Sequence, residues 1–146
     1  MRGRWILARS VCWGLTALFL ITPVSSAQSD NASRAHDDKS VYAELKKAPA
    51  KAAAKPNPLE SDPEAAAAGA KLFQLHCAEC HGATADGGKK GPSLRSEDVQ
   101  KASPGALFWL LTNGVVRRGM PVWSKLPEPQ RWQLVSFIRS LGPPAK

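Results

Sequence analysis

The stretch Cys77-Ala78-Glu79-Cys80-His81 is the part of the sequence on which the rest of the chain depends. It has the spacing C-x-x-C-H, which is typical of a c-type haem attachment site. Two thiols at this spacing can bond covalently to the vinyl groups of one porphyrin, and the adjacent imidazole can reach the iron from the same side. The motif therefore predicts one covalently bound haem c, held by Cys77 and Cys80, with His81 as an iron ligand.

Two other interpretations of this motif lack support elsewhere in the sequence. A thioredoxin-like pair of cysteines is expected beside a strand-helix-strand pattern, which the sequence does not show. A structural zinc site needs four protein ligands. The nearest further candidate is His76, which lies too close in the chain to complete a tetrahedron easily. Haem is the cofactor that the motif favours.

The first residues have the pattern of a secretory signal peptide. Met1-Arg2-Gly3-Arg4 is positively charged, residues 11–22 are an apolar run, and Ser25-Ser26-Ala27 offers small residues for cleavage. The sequence therefore predicts a signal peptide over residues 1–27 and export to the periplasm. The apolar run is shorter than the roughly 20 residues that a spanning helix needs. An uncleaved signal anchor, which would tether the protein to a membrane, stays open as an alternative.

Export changes how the cysteines and the charge are interpreted. Cys12 leaves with the predicted signal peptide, so that Cys77 and Cys80 are the cysteines of the mature chain. In an oxidising compartment such a pair would otherwise indicate a disulfide, but the adjacent His81 favours haem. The formal net charge of +8 falls to +5 once Arg2, Arg4 and Arg9 are removed.

Composition also bounds the organisation of the chain. Its 146 residues allow one small domain with accessory segments. No basic stripe with interleaved aromatic residues is present, which argues against nucleic acid as a partner. Residues 28–60 are rich in Ala, Lys, Pro, Ser and Asp. This composition predicts a flexible tether that packs no core, with at most a short helical turn around residues 41–47.

Residues 61–146 have the helix signals of a small folded domain. A first helix is predicted from Asp62-Pro63-Glu64, with Ser61 or Asp62 as the cap, to about His76. Gly69 is costly inside a helix, which indicates that another backbone or ring packs closely against it. Residues 82–91 are rich in Gly, Lys and Asp and are predicted to form a loop.

Two further helices are predicted towards the C-terminus. Ser103 and Pro104 begin one that carries the continuous apolar block 106–111 and stops at Asn113-Gly114. The last helix is predicted over residues 130–141, with an apolar stripe that contains Phe137. Phe137 is the expected partner of the helix face that carries Gly69. The predicted fold class is therefore all-α.

Two loop residues are candidates for the surroundings of the haem iron. Met120 is the one methionine left after Met1 is removed, and it lies in the loop Gly119-Met120-Pro121, where its thioether could be a second iron ligand. Filling a gap in the core is the commoner role of methionine and is the alternative. Pro92 would hold a rigid turn in which a backbone carbonyl could accept a hydrogen bond from His81. From these residues alone, an ordinary turn without that role is the favoured alternative.

These motifs, taken in order, resemble those of class I, monohaem c-type cytochromes of bacteria, over residues 61–142. The resemblance implies a small cytochrome c fold, with three to five helices wrapped around one covalently attached haem. It also implies that His81 is the proximal ligand, that Met120 is the distal ligand, and that the carbonyl of Pro92 supports His81. Phe137 would pack on the first helix.

The function that the resemblance implies is one-electron transfer in a periplasmic respiratory or dehydrogenase chain. The protein would be an electron carrier, or the cytochrome subunit of an oxidoreductase complex, rather than an enzyme. Its partners would be a dehydrogenase, an oxidase or another cytochrome. The alternative is a haem-based enzyme or gas sensor with a displaceable distal ligand. The second C-x-x-C-H motif of dihaem peroxidases is absent from the sequence.

Two groups of side chains would serve electron transfer around such a haem. Basic residues near its exposed edge would attract an acidic partner, with an ordinary solvated face as the alternative; they are Lys89, Lys90, Arg117 and Arg118. Apolar residues would form a wall that excludes water; they are Leu94, Leu107, Leu110, Leu111, Trp123 and Ile138.

Overall fold

The computed structural model describes residues 42–88 and 90–142. The predicted signal peptide, the first part of the predicted tether up to Val41, Lys89 and residues 143–146 lie outside the described residues. Six α-helices are present in the described part: α1 (Ala50–Ala53), α2 (Ala65–His76), α3 (Ala78–His81), α4 (Glu97–Lys101), α5 (Pro104–Asn113) and α6 (Glu128–Ser140). Short 3-10 helices cover Leu45–Lys47 and Val116–Arg118.

The fold class is all-α, as predicted. Over the described ranges, β-structure is limited to an isolated antiparallel bridge between Val115 and Met120. Two of the six α-helices, α1 and α3, are single turns of four residues. The number of longer helices, four, lies within the predicted range of three to five. None of the helices in this part of the chain is long and apolar enough to cross a membrane.

Helix starts follow the capping residues that the sequence offers. The hydroxyl oxygen of Ser103 accepts a hydrogen bond from the amide of Ala106 at 3.2 Å, and Pro104 is the first residue of α5, as predicted. Asp62 accepts a hydrogen bond from the amide of Glu64 at 2.9 Å just before α2. Ser96 caps α4, a helix that the sequence analysis did not predict.

The core is centred on the crossing of α2 and α6, whose contact is the most extensive between any two helices in this part of the chain. Phe73 of α2 is fully buried, and its ring lies 5.0 Å from that of Phe137 of α6, centroid to centroid. A methyl group at Gly69 would lie 2.9 Å from Cβ of Phe137 and closer still to the carbonyl oxygen of Gln133. The predicted close approach at Gly69 and its predicted partner Phe137 are both confirmed.

Residues 42–59, which lie within the predicted tether, pack against the domain, and we call them the docked segment. Tyr42 and Leu45 are buried in the same core as Phe73. The side-chain amide of Asn57 donates to the hydroxyl oxygen of Ser136 in α6 at 2.8 Å. The composition of the segment did not indicate this packing, because two apolar side chains and a few hydrogen bonds are enough to dock a segment that is polar on average. The predicted domain start at residue 61 stays a prediction.

Candidate haem-binding site

A cavity of about 1160 Å³ lies between the C-terminal end of α2, one side of α5 and the loops that follow α3 and α5. It exceeds the roughly 300–1000 Å³ that is usual for small-molecule sites. The two cysteines of the motif line it, as do His81 and Met120. The structure therefore brings together at one cavity two thiols, an imidazole and a thioether that are separated by up to 43 residues in the sequence.

The cysteines are held by the junction between α2 and α3. Cys77 ends α2 and precedes α3, and its carbonyl oxygen accepts hydrogen bonds from the amides of Cys80 at 3.1 Å and His81 at 3.0 Å. Both thiols are free and partly buried. Burial, with a smaller contribution from neighbouring Cys80, raises the pKa of Cys77 to about 11. The single turn of α3 thus gives the two thiols and His81 one rigid support.

His81 is oriented by the backbone of the loop that follows it. Its Nδ1 atom lies 2.8 Å from the carbonyl oxygen of Pro92. Since a carbonyl oxygen can only accept, Nδ1 carries the proton and Nε2 is left with a lone pair. Burial lowers the pKa of His81, and the hydrogen bond to Pro92 acts in the opposite direction. The neutral ring that results is the form of histidine that binds a metal.

The loop that holds Pro92 approaches His81 closely. A methyl group at Gly91 would lie 3.1 Å from Nδ1 of His81 and 3.1 Å from the carbonyl oxygen of Cys80. The amide of Gly87 donates to the carbonyl oxygen of His81 at 2.8 Å. The glycines of this loop therefore permit its close approach to His81, because side chains at these positions would push the loop away from the ring.

Met120 lies on the loop that follows α5. The isolated bridge fixes its backbone: the amide of Val115 donates to Met120 at 3.0 Å, and the amide of Met120 donates back at 3.2 Å. Two glycines with positive φ shape the turn, Gly114 at 65° and Gly119 at 86°. At Gly114 a side chain would also clash, since a methyl group there would lie 2.5 Å from the carbonyl oxygen of Pro121. The loop holds Met120 at the cavity without a regular strand.

The predicted apolar wall is confirmed as a lining of this cavity. All of its members contribute to the surface: Leu94, Leu107, Leu110, Leu111, Trp123 and Ile138. The most buried are Leu107, Leu111 and Ile138, none of which exposes more than 5% of its surface. The donor set and the apolar walls together fit haem c, which needs two thiols, axial donors and a dry environment.

The predicted basic residues have different surroundings. Lys90 pairs with Glu79 at 2.7 Å, with both side chains well exposed, and Arg117 pairs with Glu44 of the docked segment. Lys90 and Arg118 line the cavity. Lys89 lies outside the described residues. An exposed ion pair such as Lys90–Glu79 adds little to stability.

Sequence reasoning missed one side of the cavity, which the docked segment supplies. Tyr42 and Leu45 line it, and the hydroxyl of Tyr42 donates to the carbonyl oxygen of Ser93 at 2.6 Å. A signal for this role was present, because Tyr42 is the one tyrosine of the chain and Leu45 follows it by three residues. Two large side chains at that spacing share one side of a helical turn.

His76, the further candidate ligand for a zinc site, also lies at the cavity. The ring of His76 packs against that of Trp123, with centroids 5.3 Å apart, and both line the cavity. In residues 42–88 and 90–142, no three His, Cys, Asp or Glu side chains lie close enough together to hold a metal ion. The four protein ligands of a structural zinc site are therefore not assembled in these ranges.

This domain is similar to known proteins. The family model described as cytochrome c oxidase, cbb3-type, subunit III matches residues 64–138, just over half of the chain. The cbb3-type cytochrome c oxidase subunit CcoP of Rubrivivax gelatinosus is 45% identical over 58 residues, which cover 40% of this chain and 17% of that protein. The cbb3-type cytochrome c oxidase subunit FixP of Sinorhizobium medicae (strain WSM419) is 31% identical over 87 residues, which cover 53% of this chain and 30% of that protein.

The chain therefore spans less than a third of the length of these curated relatives. Among solved structures, it is similar to cytochrome cL from the marine methylotrophic bacterium Methylophaga aminisulfidivorans MPT. The TM-score is 0.51 and the identity 29%, with 58% of each chain covered. This likeness is one of fold. The chain belongs to the family of cytochrome c oxidase, cbb3-type, subunit III, and it is a c-type cytochrome with covalently bound haem c.

Proposed function

We propose that this cytochrome is a one-electron carrier whose haem iron is bound by His81 on one side and Met120 on the other, with thioether bonds to Cys77 and Cys80. One observation carries the proposal: the imidazole, at the end of α3, and the thioether, on the loop that follows α5, line the same cavity as the two thiols. When bound, the haem supplies a metal centre that gains and loses single electrons.

His81 contributes a fixed donor atom. The hydrogen bond from Nδ1 to the carbonyl oxygen of Pro92, 2.8 Å long, sets the tautomer and leaves Nε2 to bind the iron. The same bond increases the basicity of the ring. Pro92 is thus proposed to support His81 through its backbone, and the rigid proline ring limits the movement of that carbonyl.

Met120 contributes the second donor and closes the site. If His81 and Met120 both bound the iron, no position would be left for a substrate or a gas, which favours electron transfer over catalysis. A thioether together with an imidazole favours the reduced state of the iron. The two hydrogen bonds to Val115, 3.0 and 3.2 Å long, hold the backbone of Met120, which would keep its thioether at the cavity.

The apolar wall lowers the energetic cost of changing the charge at the iron. Leu107, Leu111 and Ile138 are buried and carry no dipole that must rotate when an electron arrives. Water at this surface would reorient with each electron, and the wall excludes it. The same residues stabilise a domain of this size, which has a limited core without its cofactor.

The compartment and the partner follow from the sequence and the relatives. The predicted signal peptide supports a periplasmic location, with tethering to the membrane if it stays uncleaved. The relatives are named as subunits of cbb3-type cytochrome c oxidases. We propose that the chain exchanges electrons with an oxidase, a dehydrogenase or another cytochrome. Lys90 and Arg118, at the rim of the cavity, favour a partner with an acidic docking face.

Visible absorption spectroscopy of the exported, haem-loaded protein tests this function. The oxidised protein should be low-spin and show the weak charge-transfer band between methionine sulfur and iron, and the reduced protein should take up carbon monoxide only slowly, with no binding on the timescale of mixing. A high-spin spectrum without that band would favour the alternative of a haem enzyme or gas sensor. The spectrum of a Val122→Ala variant should match the wild type, since this exposed neighbour of Met120 donates nothing to the iron.

A further inference from the structure

The docked segment contacts the loop that orients His81. The hydroxyl of Tyr42 donates a hydrogen bond of 2.6 Å to the carbonyl oxygen of Ser93, the residue after Pro92. Tyr42 exposes only 7% of its surface, so this bond is shielded from water. Because the preceding carbonyl, that of Pro92, accepts from Nδ1 of His81, Tyr42 holds the peptide next to the one that fixes the imidazole.

Two residues further along, the same segment contacts the loop that carries Met120. The Glu44 carboxylate pairs with the guanidinium of Arg117 and, at 2.8 Å, with the ammonium of Lys47. The side chain of Glu44 is 12% exposed, and these cations hold its pKa below the ordinary value. Arg117 lies in the 3-10 helix Val116–Arg118, inside the turn that the bridge between Val115 and Met120 closes.

The other end of the docked segment is fixed to the core helices. The hydroxyl of Ser103 donates to the carbonyl oxygen of Ala53 at 2.7 Å, and Asn57 donates to Ser136 at 2.8 Å. Gly105 of α5 allows the carbonyls of this segment to come close, since a methyl group there would lie 2.8 Å from those of Ala53 and Lys55. The segment is therefore anchored at a distance from the two loops that it joins.

We propose that the docked segment clamps together the loop that orients His81 and the loop that carries Met120, with Tyr42 and Glu44 as positioning residues for the two ligands. This inference rests on the axial ligation proposed above. Tyr42 acts through the peptide of Ser93, and Glu44 acts through Arg117. With Leu45, Tyr42 also covers one side of the cavity, so that the clamp limits both the opening of the loops and the access of water.

The clamp makes a kinetic prediction. Carbon monoxide can reach a six-coordinate iron only when the methionine has left, so its rate of uptake by the reduced protein measures how often the loops open. Tyr42→Phe keeps the ring and removes one hydrogen bond. A net loss of about 1 kcal/mol corresponds to about a fivefold increase in the open population. We expect uptake to be about fivefold faster than in the wild type.

Glu44→Gln tests the other half of the clamp in the full-length, haem-loaded protein. We expect faster uptake of carbon monoxide, a weaker methionine-to-iron band and a lower reduction potential, because a more open site admits water and favours the oxidised iron. Arg117→Gln should give the same result, since it breaks the same pair. Glu60→Gln is the matched control, because Glu60 is an exposed carboxylate outside the cavity lining; it should match the wild type.

Hydrogen exchange provides a readout that does not depend on ligand binding. In Glu44→Gln the amides of Val115 and Met120, which form the bridge, should exchange faster, while those of α6 stay protected. If the wild type shows the methionine band but Tyr42→Phe and Glu44→Gln leave the uptake rate, the potential and this exchange unchanged, the clamp is wrong and the proposed ligation stands. If the wild type lacks the band, the ligation itself is wrong.

Discussion

Phe73 and Phe137 face each other across the main helix crossing, with ring centroids 5.0 Å apart and an angle of 44° between the planes. Gly69 makes this crossing possible, because α6 lies where a side chain would be. The contact links the helix that leads into the haem motif to the last helix of the domain. Any change in this spacing should therefore affect both the stability and the haem site.

Gly69→Ala should destabilise the protein although alanine is the better helix former. Propensity alone predicts a gain of about 1 kcal/mol, but the added methyl group would meet the carbonyl oxygen of Gln133 and Cβ of Phe137. We expect the free energy of unfolding to fall by about 1–3 kcal/mol, as for overpacking elsewhere. Chemical denaturation measures it. Lys71→Ala, on the exposed side of the same helix, should change little, and a more stable Gly69→Ala protein would contradict the crossing.

Removing both thiols of the motif should abolish covalent attachment. Cys77→Ser with Cys80→Ser leaves no sulfur at the cavity apart from Met120. After denaturation, mass spectrometry of the exported variant should give the mass of the polypeptide without haem. Cys12→Ser is the control, because Cys12 belongs to the predicted signal peptide, and it should keep the haem mass. Covalent haem in the double variant would rule out these cysteines as the attachment points.

Ser103→Ala tests a side chain that serves two structural purposes. Its oxygen accepts from the amide of Ala106 as a helix cap, and its hydroxyl donates to Ala53 of the docked segment. Loss of a cap typically costs about 1–2 kcal/mol. We expect a fall of that size in the free energy of unfolding, together with faster hydrogen exchange in residues 52–55. The exposed Ser61→Ala should have no such effect; equal behaviour of the two variants would refute the dual role.

The helices could be predicted because their signals are local. The cap at Ser103 with Pro104, the stop at Gly114 and the apolar stripe around Phe137 each lie within one or two turns of the element that they define. The four donors at the cavity were predicted by motif and by resemblance. α4 escaped prediction although Ser96 caps it, because its five residues bury a single side chain, Val99, and give no visible periodicity.

The docked segment could not be predicted for a different reason. The contact between Tyr42 and Ser93 joins residues 51 positions apart, and that between Glu44 and Arg117 joins residues 73 positions apart. Neither pair belongs to a regular element with a readable period. Average composition describes the segment as polar and flexible, whereas its packing depends on two individual side chains, Tyr42 and Leu45, and on close backbone contacts at Gly105.

The rim of the cavity should attract negatively charged reactants. Arg118 lies at the cavity close to Met120 in the sequence. With the trianion ferricyanide as oxidant, Arg118→Gln should react about two- to threefold more slowly at low salt, because one favourable charge is lost. At 1 M salt, where the Debye length is about 3 Å, the difference should disappear. Lys71→Gln removes a charge on α2 outside the cavity lining and should leave the rate unchanged; the same slowing there would refute a local effect of the rim.

Carbon monoxide binding to the reduced, haem-loaded protein tests the central claim most directly, because it reports whether Met120 occupies the second axial position. We predict that the wild type binds none on the timescale of mixing and takes up carbon monoxide only slowly thereafter. Met120→Ala should bind one equivalent rapidly and have a lower reduction potential. Rapid binding by the wild type, or a Met120→Ala protein that behaves as the wild type does, would contradict ligation by Met120.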